Sequence, residues 1–93
     1  MIQRYFHMFW GWLVFSAQHK TLLQAMVQGN TLKSHRYLDG CKVYRLHPLV
    51  GQYQEVQPSL VRFLYQRGLI DSNKKFPSAT YWLTQKGVQW AAS

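Results

Sequence analysis

A chain of 93 residues with 11 lysines and arginines against 3 acidic side chains carries a net charge of +8 at neutral pH. That bias favours polyanionic partners: nucleic acid, an anionic membrane surface or an acidic protein. The length fits one domain with a modest core, and the lone cysteine, Cys41, excludes an internal disulfide and fits a reducing, cytoplasmic setting. Aromatic residues make up 16% of the chain, more than a core of this size needs, so some rings are expected at an interface.

The most apolar stretch comes first, Tyr5 to Ala17, YFHMFWGWLVFSA. It is shorter than the ~20 residues that cross a bilayer. Arg4 ahead of it is leader-like, but Phe15 stands where leader cleavage needs a small residue. As a helix, Tyr5, Phe6, Phe9, Trp10, Trp12 and Leu13 share one face; as a strand, Phe9 to Phe15 fits equally well. Residues 1–15 are therefore expected to form an apolar arm. It packs on the domain's own core, pairs with a second copy in a homodimer, or rests on a membrane surface. In the interface case, Phe6, Phe9, Trp10, Trp12 and Leu13 make the contact.

A domain over residues 16–93 follows. Ser16 is placed to cap a helix near 17–29, with Leu22, Leu23, Met26 and Val27 as its buried stripe and Gly29-Asn30 as its stop. Thr31 to His47 predicts a β-hairpin turning on Asp39-Gly40, because a type I′ turn needs positive φ at both central positions. A two-residue turn there pairs Arg36 with Val43, Tyr37 with Lys42 and His35 with Tyr44. Both faces then mix apolar and basic groups, which predicts shallow burial. Lys33, Arg36, Lys42 and Arg45 make a second basic surface or a plain solvated face.

Pro48 to Val56 has no clear period and room for a short strand. The next helix is expected near 58–68. Pro58 suits its first position, where the missing N–H would be unbonded anyway. Leu60, Val61 and Leu64 fall on one side, Ser59, Arg62 and Gln66 on the other. Gly68 allows the left-handed residue that ends many helices. A second hairpin spans 69–84, with Asn73-Lys74-Lys75-Phe76-Pro77-Ser78 as a basic turn and TYWL as the return strand. Thr84 is placed to cap a last helix near 85–92. The expected core is Leu22, Leu23, Met26, Leu60, Val61, Leu64, Ile70, Tyr81 and Leu83.

The order helix, GLI, basic-tipped hairpin and YWLTQKG resembles the second half of a winged-helix domain. QHKTLLQAMVQGNTLKSHRYLDG followed by LVRFLYQRGLI is similar to the small YjhX-type toxin family, in which a helix and a hairpin precede the recognition helix. The resemblance implies an α+β, winged-helix-like domain with two β-hairpins, its helix entering a DNA groove and its wing touching the backbone. A fold hosts many functions, so the residues have to carry the chemistry.

Catalysis has little to work with. The three acidic residues are Asp39, Glu55 and Asp71; Asp39 serves a turn, Asp71 sits at the wing base, and neither of these two has a second carboxylate near it in sequence for acid–base work. A Cys41, His35 and His47 set lacks a clear fourth zinc ligand and a positioned base for the thiol. No glycine loop cradles a phosphate. An enzyme, a metal and a cofactor are therefore not expected. Duplex DNA is the expected partner: Ser59, Arg62 and Gln66 suit base edges, Arg and Gln by forking onto two atoms. Arg67, Lys74 and Lys75 suit phosphates, and Asn73 either bonds a phosphate or shapes its turn. The alternative is an interaction module, a toxin or inhibitor docking on an acidic protein.

Overall fold

The computed structural model describes residues 17–92, and the apolar arm and the Ser16 cap lie outside them. Helix α1 runs through residues 17–27, followed by strands β1 (Thr31–Arg36), β2 (Lys42–His47) and β3 (Gln54–Val56). Helix α2 (Pro58–Gln66), strands β4 (Ile70–Ser72) and β5 (Ser78–Leu83) and helix α3 (Gln85–Ala92) complete the α+β fold. The five strands join in one antiparallel sheet of order β3-β2-β1-β5-β4. β1 is its centre, bonded to β2 on one side and to β5 on the other. The two hairpins are thus halves of one sheet. Among the described residues, no helix is long and apolar enough to cross a membrane.

Successive strand residues face opposite sides. Leu32 and Ser34 of β1, Tyr44 of β2, Ile70 and Ser72 of β4 and Ala79 and Tyr81 of β5 are buried on one face. They form the core with Leu22, Leu23 and Met26 of α1, Val61 and Leu64 of α2, Leu69, and Ala91 of α3. Most of the expected core is therefore present. Leu60 and Leu83 are only partly buried at its edge, and Val27, 54% exposed, is not in the stripe. His19 replaces it as an unexpected buried residue of α1, its ring stacked on Phe63 at 4.0 Å. The first hairpin is also buried on one face, deeper than its mixed composition suggests.

Its register differs from the expected one by one residue. Arg36 pairs with Lys42, His35 with Val43 and Ser34 with Tyr44. The loop holds three residues, Leu38, Asp39 and Gly40. Gly40 N–H donates to the Tyr37 carbonyl at 3.0 Å and Tyr37 N–H to the Cys41 carbonyl at 2.8 Å. Gly40 alone needs positive φ, +91°, as in a type I turn closed by a left-handed glycine. Asp39 Oδ1 accepts the Cys41 N–H at 2.9 Å, which fixes this turn and holds the Asp39 carboxyl below its ordinary pKa. The slip matters because it exchanges the partners across both faces.

Pro58 opens α2 at its first turn. At the other end Gly68, φ +72°, donates to the Tyr65 carbonyl at 3.0 Å, and Leu69 N–H donates to the Leu64 carbonyl at 2.9 Å. This is a Schellman motif, with Leu64 and Leu69 both fully buried beside it. Thr84 locks that end to α3. Its hydroxyl donates to the Gly68 carbonyl at 2.6 Å and accepts the Gly87 N–H at 3.1 Å, while its own N–H donates to the Leu69 carbonyl at 3.1 Å. Gly87 lies inside α3, and a Cβ there would overlap the Leu69 carbonyl oxygen.

Gly87→Ala tests this junction by its sign. On helix propensity alone the change stabilises by about 1 kcal/mol; overpacking against a backbone carbonyl destabilises by about 1–3 kcal/mol. Urea denaturation should show the loss.

Candidate nucleic-acid interface

The helix-bearing face of the sheet is incompletely covered. Beyond α2, toward the β1–β2 loop, it opens into a cleft of about 400 Å³. Val61, Arg62, Tyr65 and Gln66 of α2 form one wall. The sheet supplies a floor that includes Ser34, Tyr44, Ala79 and Tyr81, with Arg36 and Lys42 at its outer end. The 72–77 loop brings Ser72, Lys74, Lys75, Phe76 and Pro77 as the opposite wall.

Each basic side chain has a local reason for its place. The observed register sets Arg36 directly across from Lys42. Arg36 is steadied by donating to the Gly40 carbonyl at 2.9 Å, and Lys42 Nζ sits 5.3 Å from the centre of the Tyr44 ring. Arg62 and Gln66 share the exposed flank of α2, one turn apart. In the second loop, Ser72 Oγ accepts the Lys74 N–H at 3.0 Å, and Asn73 Oδ1 accepts the N–H groups of Lys75 at 3.2 Å and Thr80 at 3.1 Å. Asn73 thus spends its acceptor oxygen on shaping the turn. Lys74 takes positive φ, 55°, a conformation with a cost for any residue that carries a Cβ.

Five cations from three stretches therefore meet at one concave surface: Arg36, Lys42, Arg62, Lys74 and Lys75. Among the described residues, no carboxylate lines it. Asp39 is at the tip of the first loop. Glu55 pairs with Arg45 and Asp71 with Trp82, both on the far face of the sheet. Like charges directly opposed on a sheet are destabilising. Arg36 and Lys42 lie opposed with no acid across the cleft to offset them.

Other predicted site residues lie elsewhere. Ser59 on α2 and Arg67 just after it are exposed but do not line the cleft; Arg67 lies over the Phe63 ring at 4.6 Å. Lys33 and Arg45 face the opposite side of the sheet, so the predicted set of four basic hairpin residues is split between two faces. Arg45 donates to the Tyr37 hydroxyl at 2.8 Å, which raises its pKa further, and lies 4.6 Å from the centre of the Tyr53 ring. His35 Nδ1 and Ser78 Oγ are 2.7 Å apart on the same face. Among the described residues, no three His, Cys, Asp or Glu side chains are grouped to hold a metal ion. Ser34, Ser72, Tyr65 and Phe76 were absent from the sequence-derived site. Alternation within β1 marks Ser34 as a core-side polar residue, which was the available signal.

Compared with known protein families, characterised proteins and solved structures, the chain matches none.

Lys42→Gln removes the opposed like charge. It should raise stability by about 0.2–1 kcal/mol at low salt, and the gain should shrink as salt screens the repulsion. Urea unfolding at low and high ionic strength measures both. A loss of stability at low salt would mean that the pair is not repulsive.

Proposed function

We propose that this chain is a DNA-binding protein of winged-helix type. The observation that carries this reading is the convergence of five cations on a carboxylate-free cleft between α2 and the β4–β5 loop. Phosphates are held by long cationic side chains, and a repulsive Arg36–Lys42 pair is relieved when an anion sits between its members. In this reading α2 acts as the recognition helix. A helix with its side chains is about 10–12 Å across, which fits a major groove ~12 Å wide. Arg62 and Gln66, with Ser59, address base edges. One DNA backbone then runs along the cleft against Arg36, Lys42, Lys74 and Lys75.

A protein partner is the second reading. It is favoured by an apolar hollow lined by Met26, Val27, Trp82, Leu83 and Val88, in which Val27, Trp82 and Val88 are exposed. An acidic protein would use the same cations without needing a recognition helix.

Fluorescence anisotropy with a mixed-sequence duplex separates the two. Three to five phosphate contacts predict a log–log salt slope of roughly −3 to −5. Lys75→Ala should weaken all sequences alike and make the slope shallower by about one. Arg62→Ala should blunt discrimination between sequences by about 1–3 kcal/mol. No binding at about 10 μM protein in about 50 mM salt, where even non-specific DNA binders register, would favour the protein partner.

A further inference from the structure

Two features of the cleft have no role against a duplex backbone. The first is aromatic. Phe76 is 75% exposed beside Lys74 and Lys75, and Tyr65 is exposed on the facing wall. Tyr65 is held edge-on by Tyr81, ring centres 6.3 Å apart at 81°. A phosphate chain gains nothing from these rings. A paired base offers them nothing either, because its faces are already stacked on its neighbours. An unpaired base has a free π-face, and stacking of that face on an aromatic ring is the usual means of holding single strands.

The second feature is polar and deep. Ser34 is only 3% exposed, yet it lines the cleft floor. Ser72, on the same cleft, accepts from the Lys74 N–H and keeps its own proton for a second partner. Two hydroxyls on one basic cleft match the polar edge of a base.

We propose that the cleft takes an unpaired nucleotide of a single-stranded nucleic acid. Its base stacks on Phe76, its edge reaches Ser34 and Ser72, and its flanking phosphates lie on Arg36, Lys42, Lys74 and Lys75. The cleft volume, about 400 Å³, falls at the small end of sites that enclose one small-molecule-sized group. The proposal rests on the nucleic-acid reading of this cleft and gives the cleft an unpaired nucleotide in place of a duplex backbone.

The test compares labelled dT12 and rU12 with a 12-base-pair duplex by anisotropy at about 100 mM salt. At least one single strand should bind about tenfold tighter than the duplex. Phe76→Ala should raise that strand's Kd by about tenfold, within the range for one lost stacking contact, and Phe76→Tyr should recover most of it. Phe76 is exposed, so the change removes little packing. If the duplex binds as tightly as both strands, or Phe76→Ala keeps the wild-type ratio of Kd values, the single-strand proposal fails while DNA binding stands. If nothing binds, both fail.

Discussion

The packing turns on a close approach between two backbones, the Leu69 carbonyl and the α3 helix at Gly87. Leu69 follows the Schellman stop of α2, so its position is set by the same motif that ends the helix. Thr84 completes the knot. Its hydroxyl bridges the last turn of α2 to the first turn of α3, giving to one carbonyl and taking from one N–H. Lys86 adds a bond from its ammonium to the Arg67 carbonyl at 3.2 Å. Helix ends leave carbonyls and N–H groups unbonded, and here two ends satisfy each other. The result fixes α2 along its axis. Arg62 and Gln66 therefore have a set height above the sheet, and the width of the cleft follows.

Charge is distributed unevenly over the two faces of the sheet. On the far face, Lys33 lies opposite Arg45, but Glu55 lies opposite Arg45 on its other side. Arg45 is also bonded to Tyr37 and stacked over Tyr53. The basic groups there are largely held by their own neighbours. On the cleft face Arg36 and Lys42 have a carbonyl and a ring, and no acid. A surface whose cations are unneutralised is the one with the most to gain from an incoming anion. The difference separates two patches that composition alone would merge.

The second loop shows how a mobile-looking sequence becomes a fixed wall. Asn73 bonds both arms of the turn through one oxygen, and Ser72 holds the next N–H. Lys74 accepts a left-handed backbone as a consequence. Both lysines and Phe76 are then displayed from a loop whose side-chain bonds point inward. Functional groups on loops need such local anchoring if they are to act as a preorganised surface.

Much of this was readable in the chain. Pro58, Gly68 and Thr84 mark helix ends because each has a backbone property that a helix terminus needs, and local chemistry of that kind does not depend on the rest of the fold. The same holds for the Leu22, Leu23, Met26 stripe and for the basic turn at 73–75. The hairpin register was not readable, since Asp-Gly serves two- and three-residue loops alike and one hydrogen bond from Asp39 selects between them. Nothing local explains the glycine inside α3; the approach of Leu69, 18 residues earlier in sequence, gives the reason for Gly87. The pairing of β1 with β5 likewise joins segments far apart in the chain. That pairing brings Arg36 and Lys42 to the same cleft as Arg62, Lys74 and Lys75, and leaves Lys33 and Arg45 behind the sheet. The elements, their ends and the excess of positive charge follow from the chain alone, because they are local or additive properties. Which charges share a surface was decided by long-range strand pairing, where a shift of one residue turns a side chain to the other face.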